Sequence, residues 1–448
     1  MENERYVAAI EISSSKITGV VGRYTTDGQL IIDAAEKEGV RDCVRYGMIQ
    51  NLEETATRVS RIIDKLQRRP DISPRKITGL VVGLSGRSLR SIATTVNLSL
   101  PEETEITSDI VERLRRDALQ TAVDSSLEIV DAVPRIYNIG KAETSSPVGA
   151  LGSEISVTYD VIVCRPELKR NLQRVIEDKC GLRVEGFVVT SMAAGHLILT
   201  GEEKRLGCML VDMGAETTSV SVYHRGGLRY FATLPLGGRN ITRDLTTLSL
   251  LEERAEEIKI TSGNAISYNP TSSVNINGVK LSDVSEYIVA RSEEIVANVL
   301  EQISYAGLKE KDLPGGIVCI GGGSRLNGMT ELLNRQSGLQ VKTGHLPDYI
   351  HLQDDNIPAS ELTEVACVLY EGASLTDVEY LELPVRDELP STGEIPPADY
   401  RYPEERQHEE RQPAGDGKVR RLFGKWQNKL SRMFAPPEDD NDSDLFDE

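Results

Sequence analysis

The same strand–turn–strand pattern occurs twice in the sequence, and this repetition is the feature that most constrains the fold. The apolar segment 6–10 leads to Glu11, then to a turn of three serines and a second apolar segment. The pattern returns at 208–214, where Asp212 follows an apolar segment and precedes a small-residue turn, 201 residues after Glu11. An acid at a strand end before a tight turn, present twice, predicts a duplicated α/β domain.

A third turn of small residues follows a later apolar segment. Residues 316–320 lead into three glycines and Ser324. Small residues let backbone N–H groups approach phosphate oxygens, and an acid at a strand end can hold Mg²⁺ through water. One such turn is ordinary loop chemistry. Three such turns within a duplicated framework predict nucleotide binding, and they lie at 11–16, 212–218 and 320–324.

Composition restricts the class of protein. The 448 residues include 39% hydrophobic and 27% charged residues, which is typical of soluble globular domains. The net charge of −19 argues against nucleic-acid binding, which needs a basic surface. Six cysteines without CxxC spacing indicate neither a zinc site nor a disulfide framework. Without an apolar run of bilayer length or a cleavable leader, we expect a cytoplasmic protein.

The pattern of apolar residues divides the chain into segments. Asn51 predicts an N-cap for a helix that ends before Pro70, and 282–306 predicts a long amphipathic helix. Strands enclose one helix, near 107–122, in a segment that fits a small inserted domain. The predicted units are a first lobe (1–83 and 165–197), an inserted interaction domain (84–164), a second lobe (198–383, with an outer subdomain at 236–310), a disordered, proline-rich linker (384–417), an amphipathic helix (418–434) and an acidic tail (435–448).

The order of the three turns resembles the actin/Hsp70/sugar-kinase superfamily, with a phosphate-1 turn, a phosphate-2 turn and an adenosine turn. The resemblance implies a two-lobed, actin-like (ribonuclease H-like) α/β ATPase fold with an inserted α+β domain. Within the superfamily the sequence resembles the bacterial cell division family FtsA over about 5–383 and at the far C-terminus. The resembling motifs are Glu11-Ile12 with Lys16 and Gly22, Gly47-Met48-Ile49 with Asn51-Leu52-Glu53, Leu84-Ser85-Gly86, Leu234-Pro235-Leu236-Gly237-Gly238 with Ile241-Thr242-Arg243-Asp244, and Ala255-Glu256-Glu257-Ile258-Lys259.

The resemblance also implies a site for ATP and Mg²⁺, with Asp212 in the magnesium shell through water. The phosphates would meet Ser13, Ser14, Ser15 and Lys16 in the first turn and Gly214, Ala215, Thr217 and Thr218 in the second. The ribose, base and adenosine would meet Glu256, Lys259, Gly321, Gly322, Gly323 and Ser324. Without the resemblance, Glu256 and Lys259 are better interpreted as a surface ion pair three residues apart.

Two positions depart from the family pattern. Ser13 stands where the family usually has glycine, and Glu216 replaces the second glycine of Asp-x-Gly-x-Gly-Thr. A Cβ at 216 obstructs the backbone if a positive φ is needed, and a carboxylate repels a triphosphate. We therefore expect reduced nucleotide affinity or hydrolysis, at most a slow ATPase, and assign no catalytic residue.

Two other members of the superfamily are alternatives. A sugar kinase needs a carboxylate base at the cleft. The segment 188–196, where the base is expected, contains no acid. His196 is the only candidate base in it, and a lone histidine at a helix surface is more often structural or solvated. An Hsp70-type chaperone would need a large substrate domain after residue 383, where we predict only a linker.

The segment 418–434 carries an apolar stripe at helical spacing with six bases and no acids between its members. This composition is typical of a helix that lies in a membrane interface. A helix folded onto the body and a calmodulin-like target helix are the alternatives. The stripe is Val419, Leu422, Phe423, Trp426, Leu430, Met433 and Phe434, and the bases are Lys418, Arg420, Arg421, Lys425, Lys429 and Arg432.

Proteins of the resembled family end in a helix of this kind. The resemblance implies a scaffold that self-associates through the inserted domain and the second lobe. It would tether filaments of the tubulin-like protein FtsZ, the Z ring, to anionic lipids on the cytoplasmic face of the inner membrane at midcell, and later division proteins would join it. The alternative is a metabolic sugar kinase. The acidic tail is either a solvated extension or a competitor of lipid for the six bases.

Overall fold

The structure of the chain is a computed structural model. It describes residues 5–25, 29–266, 274–276, 278–354, 356–373 and 380–383. The predicted linker, amphipathic helix and acidic tail lie outside the described residues.

The first segment of the chain forms most of one sheet. Its first two strands are apolar on both faces and almost fully buried, as the runs at 6–10 and 16–21 predict. The Asn51 side chain accepts the Glu54 N–H and begins the predicted helix, which is confirmed. The elements are β1 (Arg5–Ile12), β2 (Lys16–Tyr24), β3 (Leu30–Gly39), β4 (Val44–Arg45), β5 (Met48–Ile49), α1 (Leu52–Arg68), β6 (Lys76–Ile77) and β7 (Gly79–Leu84).

The segment that follows folds around a hydrophobic core of its own. Long antiparallel strands pair side by side, and the single helix predicted near 107–122 packs on them. The elements are β8 (Arg90–Glu105), α2 (Ser108–Leu119), β9 (Glu128–Ile139), β10 (Ala142–Thr144) and β11 (Leu151–Cys164). An inserted α+β unit is thus present, while the domain limits given above stay predictions.

The chain then returns to the first sheet and continues into a second one. The long helix predicted at 282–306 is confirmed as α8. The elements are α3 (Pro166–Gln173), a π-helical turn (Arg174–Lys179), β12 (Arg183–Val189), α4 (Thr190–Ile198), α5 (Gly201–Leu206), β13 (Cys208–Met213), β14 (Thr218–His224), β15 (Gly227–Leu234), α6 (Gly238–Thr246), α7 (Glu252–Ser262), β16 (Asn275–Ile276), β17 (Val279–Lys280), α8 (Leu281–Tyr305), β18 (Ile317–Ile320), α9 (Met329–Ser337), β19 (Val341–Thr343), β20 (Ile350–Leu352), α10 (Ala359–Ala373) and β21 (Leu381–Glu382), with 3₁₀ turns at Glu310–Asp312 and Gly322–Arg325.

The two sheets have the same topology. The first contains the order β3-β2-β1-β7-β12 and the second the order β15-β14-β13-β18-β19, each with the first three strands antiparallel and the last two parallel. Glu11 pairs with Thr18, and Asp212 pairs with Ser219 at the equivalent place. The predicted duplication is therefore confirmed down to the register of the two acids.

The inserted unit and the closing helix decide how the lobes meet. Strand β8 pairs with β15 through Arg90 and Ala232, so the strands of the insert extend the second sheet. Helix α10 packs on β1 and against α4, which places the C-terminal part of the described chain back on the first lobe. No helix within the described ranges is both long and apolar enough to cross a membrane.

Candidate functional site

A cleft of about 1140 Å³ lies between the two lobes. Its volume slightly exceeds the usual range of small-molecule sites. Twelve of the fifteen predicted nucleotide contacts line it: Ser13, Ser14, Ser15, Lys16, Asp212, Gly214, Ala215, Thr217, Glu256, Lys259, Gly322 and Gly323. The other three belong to the turns but not to the cleft lining. Thr218 Oγ1 donates to Leu236 O (2.7 Å), and Ser324 Oγ donates to the carbonyl of Gly321 (2.8 Å).

The phosphate-1 turn, residues 13–16, is closed by its first serine. Ser13 donates from both its N–H (3.0 Å) and its hydroxyl (2.8 Å) to the carbonyl oxygen of Lys16. The serine that replaces the usual glycine therefore stabilises the turn. Lys16 Nζ donates to the carbonyl of Glu361 (2.8 Å) and lies 3.7 Å from its carboxylate, so α10 holds this ammonium group at the cleft wall.

The phosphate-2 turn, residues 214–218, is held from behind by the Leu-Pro-Leu-Gly-Gly motif. The Gly238 N–H donates to Gly214 O (3.0 Å). A Cβ at Gly237 would lie 2.6 Å from Ala215 O and 2.7 Å from Gly214 O, closer than any side chain tolerates. Glycine at 237 thus permits the contact between backbones that supports the turn.

Three carboxylates interact at the base of the cleft: that of Glu11 is buried, and those of Asp212 and Glu364 are half-buried. Burial, together with repulsion from Glu364 and Asp212, raises the pKa of Glu11 to about 8. Burial and repulsion from Glu364 raise the pKa of Asp212 to about 7, although Ser191 Oγ lies 3.3 Å from Asp212 Oδ2. The pKa of Glu364 is also raised by burial. Carboxylate oxygens held close together suit a hard cation such as Mg²⁺. Among the described residues no three acidic, His or Cys side chains converge closely enough to bind a metal directly.

The adenosine turn packs directly against Asp212. Gly321 has a φ of 85°, and a Cβ there would lie 2.7 Å from Asp212 Oδ1 and 2.4 Å from Met213 O. Only glycine fits this conformation and this contact. The result is that Gly322 and Gly323 face the cleft beside the acid of the second lobe.

Glu256 and Lys259 form an ion pair of 2.7 Å, but it is not a free surface pair. The Lys259 side chain is only 11% exposed, and its Nζ also donates to Gly238 O and Thr242 Oγ1 at 3.0 Å. Burial lowers the pKa of Lys259 even though Glu256 opposes the shift. The pair therefore joins α7 to the start of α6 at the cleft wall.

Glu216 has a role that the sequence did not reveal. Its side chain is fully buried, and its backbone does not adopt a positive φ, since among the described non-glycine residues only four others do. The carboxylate accepts the Tyr46 N–H (2.7 Å) and is engaged by three guanidinium groups, those of Arg45, Arg239 and Arg243. Burial alone would raise the pKa of Glu216, but these donors hold it below its ordinary value. The predicted repulsion of a triphosphate is thus not supported, because the charge is compensated within the protein.

Sequence reasoning also missed Glu361 and Glu364 at the start of α10. Their spacing of three places both on one helix face, but this pattern is common on solvated helices. His196, the only candidate for the catalytic base of a sugar kinase, does not line the cleft. It is 43% exposed, with its Nδ1 3.4 Å from Glu371 Oε2.

Comparisons with known proteins identify the family. Residues 209–359 match the family described as cell division protein FtsA, and 86–163 match the SHS2 domain inserted in FTSA. The cell division protein FtsA of Porphyromonas gingivalis is 32% identical over 331 residues, which cover 71% of this chain and 68% of that protein. The chain belongs to the FtsA family.

Further similarities agree with this assignment. FtsA of Bacillus subtilis is 28% identical over 79% of this chain and 81% of its own length. A solved chain of the PilM-PilN type IV pilus biogenesis complex has the same fold, with a TM-score of 0.56 at 17% identity over 82% of this chain and 97% of that one. The chain is an actin-like member of a family of cell division proteins, and its predicted fold class is confirmed.

Proposed function

We propose that this FtsA protein binds Mg·ATP in the cleft, self-associates, and tethers FtsZ filaments to the membrane through residues 418–434. The observation that carries the nucleotide site is the convergence of three small-residue turns, drawn from both lobes, on one cleft beside Asp212. Turns of small residues let backbone N–H groups surround phosphate oxygens.

The residues present fit a nucleotide with its metal. The phosphate-1 and phosphate-2 turns would receive the phosphates, and Lys16 supplies a positive charge beside them. Asp212 would hold Mg²⁺ through water, and Glu256 with Lys259 would meet the ribose and base. The cation, when bound, supplies positive charge that offsets the mutual repulsion of the carboxylates at the base of the cleft.

The membrane anchor is proposed from the sequence of the C-terminal segment. Each base near an anionic leaflet contributes about 1 kcal/mol, so the six bases add several kcal/mol to the burial of the apolar stripe. This would place the protein on the cytoplasmic face of the inner membrane, at the division site. Self-association through the inserted domain and the second lobe, and contacts with later division proteins, are proposed from the family resemblance.

Two experiments test the proposal. A pull-down with FtsZ should capture this protein, and a coupled assay against a panel of sugars should detect no phosphate transfer. Robust sugar phosphorylation without FtsZ binding would contradict the scaffold function. In calorimetry, Asp212→Ala should weaken Mg·ATP binding while Mg²⁺-free ATP binding changes less. Equal Mg·ATP affinity of both proteins would remove Asp212 from the magnesium site.

A further inference from the structure

The turn 45–47 between β4 and β5 contacts both phosphate turns. Tyr46 has a φ of 50° and Gly47 a φ of 75°, so two consecutive residues adopt the left-handed conformation. A non-glycine residue in this region is strained and persists only where its surroundings hold it. Here the conformation turns two consecutive N–H groups towards side chains of different lobes.

One side of the turn is held by Glu216 of the second lobe. Its Oε2 accepts the Tyr46 N–H at 2.7 Å, and its Oε1 accepts from Arg45 Nε at 3.0 Å. Hydrogen bonds to an ionised acceptor are stronger than neutral ones, most of all when buried. Because Arg45 and Tyr46 belong to the first lobe, this carboxylate joins the lobes across the cleft.

The other side of the turn is held by the phosphate-1 turn and by the first residues of the insert. The Gly47 N–H donates to Ser14 Oγ at 2.9 Å. A Cβ at Gly47 would lie 2.5 Å from both Ser85 O and Gly86 Cα, so only glycine fits. The Arg87 N–H donates to Tyr46 O at 3.1 Å, and its guanidinium lies 5.3 Å from the centre of the Tyr46 ring.

We propose that Glu216 is a positioning residue for the nucleotide. Through the turn 45–47 it fixes the phosphate-2 turn relative to Ser14 of the phosphate-1 turn, and it fixes both relative to Arg87 at the start of the inserted domain. The inference rests on the proposed binding of Mg·ATP. Replacing a charged acceptor by a neutral one of the same shape weakens every donor contact at once, so we expect Mg·ATP affinity to fall about tenfold.

The test uses the full chain with Glu216→Gln, which keeps the shape of the side chain and removes its charge. Calorimetry with Mg·ATP measures affinity, and hydrogen exchange measures protection of the Tyr46, Gly47 and Arg87 amides. The expected result is about tenfold weaker binding with faster exchange at all three amides. Glu143→Ala is the matched control, since the Arg225–Glu143 ion pair also joins the inserted domain to the second lobe, but its side chains are 67% and 54% exposed and neither residue lines the cleft. It should change affinity less than about twofold.

Several outcomes would overturn the inference. Affinity of Glu216→Gln equal to or tighter than that of the unchanged protein would do so, as would faster exchange confined to Tyr46. If Glu216→Gln does not fold, Arg45→Ala removes only one contact of the carboxylate and should give a smaller effect in the same direction; no effect would refute the link. If the unchanged protein does not bind Mg·ATP, the proposed function fails. Hydrogen exchange at the Gly47 and Arg87 amides of Glu216→Gln then still decides whether Glu216 holds the two phosphate turns and the start of the inserted domain together.

Discussion

Replacing Gly237 by alanine should displace the phosphate-2 turn without disturbing local backbone conformation. Gly237 has a φ of −166°, which any residue adopts, so the whole cost comes from contacts of the new methyl group. That methyl would lie 2.6 Å from Ala215 O, whereas ordinary contacts begin at 3.4 Å, so the turn or the start of α6 must move by about 0.8 Å. Overpacking of this kind costs about 1–3 kcal/mol of unfolding free energy.

The displacement should also weaken nucleotide binding, because the turn would move its N–H groups away from the phosphates. We expect Mg·ATP affinity to fall about tenfold, the effect of losing about one hydrogen bond to a charged phosphate. Calorimetry measures the affinity, and thermal denaturation measures the loss of stability. Gly201→Ala is the control, since its Cβ would meet only the end of the Arg205 side chain at 3.8 Å, and it should change neither. A less stable Gly237→Ala protein with unchanged affinity would refute the role assigned to the turn.

Three further predictions concern the membrane segment and pH. Replacing Phe423 and Trp426 by Glu should release the protein from anionic liposomes, because charges enter the apolar stripe; unchanged sedimentation would exclude the helix as the anchor. A chain that ends at Ala435 should bind anionic liposomes more tightly than the full chain at low salt, because it lacks the seven acids that compete with lipid for the six bases. The difference should shrink as salt rises, since such charges interact over only about 8 Å at physiological salt, and equal affinities at low salt would contradict the competition. Glu11 has a pKa raised to about 8, so its stabilising contribution is complete below the unfolded pKa and is lost as pH rises through about 8. The melting temperature of the ligand-free protein should therefore fall more steeply than that of Glu11→Gln between about pH 4.5, the ordinary pKa of a glutamate, and about pH 8, and parallel curves would mean that Glu11 is ionised throughout.

The fold could be predicted because its signals are local. An apolar strand, an acid and a small-residue turn recur around Glu11 and Asp212, and the two sheets reproduce the repeat in topology and register. Helix α8 follows its apolar spacing closely. Helix α3 passes directly into a π-helical turn at Arg174–Lys179, a change that no spacing rule indicates.

The site was predicted only where its residues lie in the turns themselves. Glu216 stood out as a departure, but its partners Arg45 and Tyr46 are about 170 residues away in sequence, so their contact depends on how the lobes meet. Glu364 reaches the cleft from α10, which follows the second lobe in the sequence but packs on the first lobe. The burial of Lys259 depends in the same way on α6 and α7 packing together. Tertiary contacts of this kind leave no periodic signal in a sequence.

The most direct test of the account is recruitment of FtsZ polymers to anionic vesicles, measured by co-sedimentation in the presence of Mg·ATP. The full chain is compared with a chain that ends at residue 417, before the apolar stripe begins. We expect FtsZ to sediment with vesicles only when the full chain is present, and the shortened chain to bind FtsZ in a pull-down all the same. Equal recruitment by both chains, or none by the full chain, would contradict the claim that this protein joins FtsZ to the membrane through its C-terminal segment.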